Sequence, residues 1–241
     1  MSPGSRLIRL EHTGVALGAV TALSPLSLTL HRGERLALVG ANGSGKTTLL
    51  RLLHGLVPHS GRRLLGTVPH GAAPLVMAML FQRPFALSLS VRFNLQLGLW
   101  LQGVPRSERR ARCDQALARV GLQALAQRPA HTLSGGQLQR MALARAWALR
   151  AEVLLLDEPT ASLDRGAKRE VENLIEELAA AGMTLVFATH NLGQAKRLAT
   201  RVIYLEAGRL VVDLPVAPFF NGPLPTGAAQ FLKGEWPWPG R

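Results

Sequence analysis

Short apolar runs and helical periods take turns along most of this chain. Residues 26–30 alternate apolar and polar positions, and residues 35–39 run almost continuously apolar, so both read as strands, the second buried. Residues 46–54 set Leu49, Leu50, Leu52 and Leu53 on a helical pattern, with Gly55 and Pro58 as the first punctuation after it. Residues 77–81 are another strand candidate. From about residue 88 to 149 the chain turns helix-rich, dominated by Ala, Arg, Leu and Gln. Residues 153–156 are then fully apolar and end in Asp157 and Glu158, the pattern of a buried parallel strand with acids at its tip. Asp164 is placed to cap a helix whose Val171, Leu174, Ile175 and Leu178 keep helical spacing, closed by Gly182. Residues 184–188 read as the next strand, and Asn191 with Gln194 resembles a capping box opening another helix. Residues 202–205 and 209–212 form a hairpin pattern around Ala207 and Gly208. Strands alternating with helices predict an α/β fold with a largely parallel sheet.

Composition narrows the class. The 241 residues are 47% hydrophobic, enough for one substantial domain or a tight pair of subdomains, and not a disordered or collagen-like chain. Cys113 stands alone, which excludes a disulfide framework and a cysteine-cluster zinc site and fits a reducing cytosol. The longest apolar runs, such as residues 75–81, fall short of the ~18 residues a membrane span needs. Residues 1–10 lack an apolar core followed by a cleavage site, so no signal peptide is expected. The expectation is a soluble, intracellular chain.

The charge balance is lopsided, with 28 Lys+Arg against 15 Asp+Glu and a formal net charge of +13. That excess suits nucleic acid, nucleotides or an anionic membrane face, and equally an arginine-biased composition on a solvated surface. Its densest stretch is Arg106, Arg109, Arg110 and Arg112, a solvated helix face or one that meets lipid headgroups or a partner. The tail, residues 213–241, is rich in Pro, Gly and aromatics and either packs on the body or recognises a partner.

Chemistry enters at Gly40, Ala41, Asn42, Gly43, Ser44, Gly45, Lys46, Thr47 and Thr48, which satisfy G-x-x-x-x-G-K-[ST] between a strand and a helix. The glycines let successive backbone N–H groups converge on phosphate oxygens at a positive helix end. Lys46 is placed to reach the β/γ-phosphates and the Thr47 hydroxyl to ligate Mg2+. Asp157, carried to the tip of a buried strand, is the matching metal residue, and Glu158 beside it is the candidate general base. Many nucleotide-binding proteins share these two elements. The discriminating segment is Leu133, Ser134, Gly135, Gly136 and Gln137, an N-cap serine with two glycines at a second helix start. One nucleotide has use for two such cradles when the second comes from another copy of the chain.

On these motifs, with Leu138, Gln139 and Arg140 continuing the signature, the chain resembles an ABC-type ATP-binding subunit from about residue 6 to 212. The resemblance implies a P-loop NTPase core with a mostly parallel sheet, an N-terminal antiparallel β part and an inserted helical subdomain. Within a single ABC ATPase domain over 1–241, the core would take residues 1–87 and 150–212 and the helical subdomain residues 88–149. It further implies that Gln82 joins the metal site to the helical subdomain, that Asp164 lies in a dimer-contact loop and that His190 contacts the γ-phosphate. The family usually offers an aromatic to stack on adenine; Leu17 stands there instead. ATP and Mg2+ are the implied cofactors. The implied partners are a second copy, integral-membrane permease subunits and a periplasmic or extracellular solute-binding protein, with no nucleic acid and a peripheral location on the cytoplasmic face of the inner membrane. Residues 81–84, 189–195 and the ending from Phe219 to Glu235 are most similar to tungstate-type oxyanion importers, with phosphate, molybdate and polar amino-acid subunits as near rivals. An ABC ATPase acting on nucleic acid is the reading from another class. Against it, no coiled-coil insertion, second ATPase domain or aromatic-interleaved basic patch is legible.

Overall fold

The computed structural model describes residues 5–66 and 74–234. The chain opens with β1 (Arg6–Leu17), β2 (Val20–His31), β3 (Arg35–Val39), α1 (Lys46–His54), β4 (Arg62–Leu65) and β5 (Met77–Leu80). Then come α2 (Val91–Leu101), α3 (Arg106–Arg119), α4 (Gly135–Ala148), β6 (Val153–Asp157), α5 (Arg165–Ala180) and β7 (Thr184–Ala188). It ends with α6 (Leu192–Leu198), β8 (Arg201–Glu206), β9 (Arg209–Pro215), α7 (Val216–Asn221) and α8 (Thr226–Lys233). Every element read from periodicity is present, the expected α/β class holds, and β3, α1 and β7 keep the boundaries read for them.

Two compact units divide the chain, one formed by residues up to Pro74 and from Thr184 onward, the other by Leu75–Met183. In the first, β2, β1 and β4 form an antiparallel sheet. Beside it β7, β3 and β8 run parallel, with β9 antiparallel on β8. All five residues of β7, and Leu36 to Val39 of β3, are buried, which is why both read as unbroken apolar runs. The β8–β9 turn has Ala207 at φ 45° and Gly208 at φ 73°, the pair of left-handed residues a two-residue hairpin turn demands. The described part of the tail packs on the body: Phe219 is fully buried and the Phe231 ring meets Tyr204 at 5.4 Å. Residues 235–241, and with them Glu235 of the tungstate-like ending, lie outside the described residues.

In the second unit β5 and β6 pair in parallel. A core of Leu95, Leu99, Leu117, Met141 and Ala144 joins α2, α3 and α4. Cys113 sits in it, and burial pushes its thiol up to about 11, with Arg92 lowering and Asp114 raising it further. At neutral pH it is an inert packing residue. Among the described residues no helix is long and apolar enough to cross a membrane.

Candidate functional site

In the first unit the site grows from two neighbouring strand ends. β3 and β7 are paired with Leu38 opposite Ala188. Two residues past that register lie Gly40, which starts the P-loop, and His190, which is exposed. The carboxyl ends of adjacent parallel strands are where an open α/β sheet leaves a crevice for ligand. The P-loop then enters α1 through Gly45 at φ 104°, with no side-chain cap and no acid in the first turn. The other helix starts at candidate site segments are capped by side chains: α4 by Ser134, α5 by Asp164 and α6 by Asn191. Among these site helices α1 alone has no side-chain cap at its start, and a phosphate is the anion such a helix end suits.

The three P-loop glycines serve different ends. A Cβ at Gly40 (φ 146°) would collide with the Leu205 carbonyl, and one at Gly45 would lie 2.7 Å from Leu23 Cδ2. At Gly43 (φ 78°) a Cβ would meet nothing within 4 Å, so there the loop leaves open space rather than tight packing. Lys46 is buried, and its Nζ donates to the Gly40 and Ala41 carbonyls at 2.8 and 3.0 Å. Ser44 Oγ is buried with no hydrogen-bond partner. An orphaned hydroxyl beside a helix N-terminus and an ammonium fits a polyphosphate. Ala41 is half-buried, Asn42 exposed, and Thr47 and Thr48 half-buried at the start of α1.

In the second unit β5 and β6 repeat the arrangement, with Leu80 opposite Leu156. Gln82 and Glu158 each lie two residues beyond, and buried Asp157 ends β6. Glu158 holds φ 46°, a left-handed conformation costing a non-glycine residue roughly 1–2 kcal/mol. In this unit Gln82 offers an amide oxygen and Asp157 a carboxylate, and in the first unit Thr47 offers a hydroxyl, each a hard donor of the type Mg2+ takes. No cluster of three or more His, Cys, Asp or Glu able to hold a metal exists among the described residues.

The signature segment is better built than its sequence reading. Ser134 Oγ accepts from Gln137 N at 3.3 Å while Ser134 N donates to Gln137 Oε1 at 3.0 Å, a reciprocal capping box. Ser134 and Gly135 are exposed, but Gly136 is buried and a Cβ there would lie 2.7 Å from Ala167 Cβ. Gly136 therefore lets α4 and α5 approach, and the exposed donors are Ser134 and Gly135. Asp164 Oδ1 accepts from Ala167 N at 2.9 Å and caps α5. Asn191 likewise accepts from Gln194 N at 2.9 Å.

Three groups of contacts were not legible in advance. Gln139 Nε2 donates to the Gln82 carbonyl at 3.3 Å and Arg145 to the Phe85 carbonyl at 2.5 Å, so α4 grips the segment after β5. Buried Asn94 folds the same segment inward, accepting from Leu87 N at 2.9 Å. The third reaches the P-loop: Gly208 N donates to the Ser44 carbonyl at 3.1 Å, and its own carbonyl accepts from Ser24 N at 2.8 Å. Gly208→Ala would force a side chain into φ 73° with Cβ 2.8 Å from the Ala22 carbonyl. The KM for ATP is expected to rise about tenfold, for a local cost of about 1.4 kcal/mol, with kcat changed less. Ala207→Gly, which relieves its neighbour and keeps the clamp, is the control. Steady-state kinetics of both decide it, and equal KM values would remove the clamp.

Leu17 ends β1 and is 49% exposed, with open space around the following Gly18 turn. Stacking on an aromatic contributes roughly 1–3 kcal/mol per base, of which a leucine recovers only apolar contact. Leu17→Tyr is expected to tighten ATP about fivefold or more in a titration. Equal or weaker binding would detach Leu17 from the base.

A family model described as ABC transporter matches residues 23–161. The cobalt import ATP-binding protein CbiO of Rhodobacter capsulatus is 43% identical, over 81% of this chain and 74% of its own length. The thiamine import ATP-binding protein ThiQ of Jannaschia sp. is 40% identical, over 88% of this chain and 94% of its own. Among solved structures, the dimeric ATP-binding cassette MJ0796, in a post-hydrolysis state with ADP and Pi, superposes with a TM-score of 0.76. It is 26% identical and the match covers 87% of this chain and 99% of that one.

Proposed function

This chain belongs to the ABC transporter family, and on that premise we propose that it is the ATP-binding, ATP-hydrolysing subunit that energises a bacterial importer. It is an ATPase, and its relatives serve import. The observation that carries the reading is the pair of half-sites in one chain: an uncapped helix end behind a P-loop, and a serine–glycine helix start whose Ser134 and Gly135 face outward.

The P-loop N–H groups and Lys46 bind and orient the phosphates of ATP. Ser134 and Gly135 of a second copy close over them. Ser134's hydroxyl oxygen already accepts from Gln137, so its proton is the part left to donate to phosphate. Glu158 holds a water and takes its proton as that water's oxygen bonds to the γ-phosphorus and the bond from the γ-phosphorus to the β–γ bridging oxygen breaks, leaving ADP and inorganic phosphate. His190, two residues beyond the end of β7, donates to the γ-phosphate oxygens. Gln82, gripped through its carbonyl by α4, passes the state of the site to the helical segment. When bound, Mg2+ would take oxygens of Thr47, Asp157 and Gln82 and would neutralise charge on the phosphates.

Two copies then close on two ATP molecules and reopen after hydrolysis, moving membrane permease subunits to which they dock from the cytoplasmic face. A secreted solute-binding protein completes the system. The cargo proposed from the sequence, a tungstate-type oxyanion, draws no support from the comparisons. Relatives of nearly equal identity name cobalt and thiamine, as expected if no residue of this subunit touches the solute. Binding of the system's solute-binding protein to tungstate, molybdate and phosphate tests that finer reading, and failure with all three ends it. The subunit reading is tested by weighing the Glu158→Gln chain in solution. ATP should convert it to a dimer, and a chain that stays single with ATP, permease included, overturns the proposal.

A further inference from the structure

The end of β8 touches the P-loop and the tail at once. Side chains alternate between the faces of a strand, so Tyr204 and Glu206 share one face and Leu205 lies between them. Tyr204 pairs with Val39, the last residue before Gly40, and the Leu205 carbonyl fills the space where Gly40 has no Cβ. At the other end of the loop Gly208 N holds the Ser44 carbonyl at 3.1 Å, and Gly208 Cα lies 3.5 Å from where a Gly45 Cβ would stand. Both ends of the P-loop thus rest on the end of β8 and its turn.

The same stretch carries α8. Phe231 meets the fully buried Tyr204 ring at 5.4 Å, and Ala228, one turn earlier, is fully buried. Tyr204 Oη donates to Glu206 Oε1 at 3.5 Å. Burial, and then the Glu206 charge, raise that hydroxyl above its ordinary value, so it stays a donor at neutral pH. Glu206 in turn lies against the first turn of α8, where a Cβ at Gly227 would stand 2.7 Å from its Oε1. Pro225 leaves that helix start without a side-chain cap, and a carboxylate is the charge such an end favours. With eight residues α8 is too short to stay helical in water alone, so it is helical when seated on β8 and melts when it leaves.

We infer that the seated tail helix holds the P-loop ready for ATP, with Phe231 as a positioning residue that acts through Tyr204 and the β8–β9 turn. An element with two states, packed on the strand whose end clamps the phosphate loop, makes tail docking and nucleotide affinity one coupled equilibrium. Every group involved lies in the first unit. The coupling rests on ATP binding at the P-loop, which titration of the parent chain checks first.

ATP is titrated into the full chain by calorimetry, and hydrogen exchange is followed at residues 226–233. In Phe231→Ala the Kd for ATP should rise about tenfold, while kcat at saturating ATP falls less than about twofold because bound nucleotide reseats the helix. Phe231→Tyr keeps the ring and should stay within about twofold of the parent. Phe220→Ala removes a tail ring that meets Phe219 and Lys196 rather than Tyr204, and should leave the Kd unchanged even where it lowers the melting temperature. Coupling is reciprocal, so ATP should slow exchange at α8 of the parent by the same factor of about ten, a readout that needs no variant. A parent that binds ATP with α8 exchange unchanged, or a Phe231→Ala Kd equal to the parent's, overturns this inference alone. A Phe220→Ala loss as large as that of Phe231→Ala overturns it too, since the effect is then a general softening of the tail. A parent that binds no ATP overturns it together with the ATPase reading.

Discussion

Glu158→Gln is expected to slow ATP hydrolysis by about two to four orders of magnitude, the range a positioned general base supplies, while ATP binding persists. The amide keeps the shape of the side chain and loses its capacity to take a proton. The backbone argues that the position is kept for chemistry rather than for packing. β6 is buried throughout, yet the residue after Asp157 sits at φ 46°, half-buried, where a glycine would cost nothing. Glu158→Gly should therefore raise stability by about 1 kcal/mol while abolishing turnover, the signature of local strain held at a working site. Single-turnover hydrolysis and thermal unfolding of the two variants give both numbers. A Glu158→Gln enzyme as fast as the parent would take the base role from this residue.

Arg201→Ala is expected to lower stability by about 2–3 kcal/mol, or roughly 4–12 °C in melting temperature for a chain of this size. Arg201 grips Asp213 through Nε and Nη2, both at 2.5 Å, and Glu34 through Nη1 at 2.9 Å, with the Thr29 carbonyl as a fourth acceptor. Its guanidinium is held well above its ordinary value, first by the Asp213 hydrogen bond and then by Glu34, against the opposing cost of burial. Removing it leaves two carboxylates, 14% and 27% exposed, without their cation. The partial exposure keeps the figure below that of a fully buried pair. Arg201→Lys should restore only part of the loss because an ammonium cannot make the fork. Replacing Glu34 by Gln and Asp213 by Asn in the Arg201→Ala background should recover much of it, since the stranded charges are then gone. If Arg201→Ala melts within 2 °C of the parent, the network contributes no more than a surface pair.

Arg201 also shows where sequence reading stops. Nothing in the chain sets it apart from its many other arginines, and +13 reads as well for a solvated face as for a buried hub. Its partners come from β3's approach and from β9, and Glu34 is 167 residues away along the chain. The same holds for Gln139 and Arg145, which reach back 57 and 60 residues to hold the segment after β5. The signature segment sits between these cases. Ser134 as an N-cap was legible, whereas the division of labour between exposed Gly135 and packed Gly136 depends on where α5 passes.

What this sequence determined alone is what is decided within about one turn of chain: the limits of β3, α1 and β7, the turn at Ala207 and Gly208, and the caps at Ser134, Asp164 and Asn191, with the phosphate, metal and base residues proposed on the same local patterns. Those features depend on each residue's own conformational freedom and its nearest neighbours, so a local pattern is sufficient to state them. Tertiary structure alone decided which glycines exist for packing, which loop clamps the P-loop, which arginine is a hub, and which strand α8 settles on. Those outcomes depend on what a distant strand or helix brings within a few ångströms, and chain order does not encode that distance.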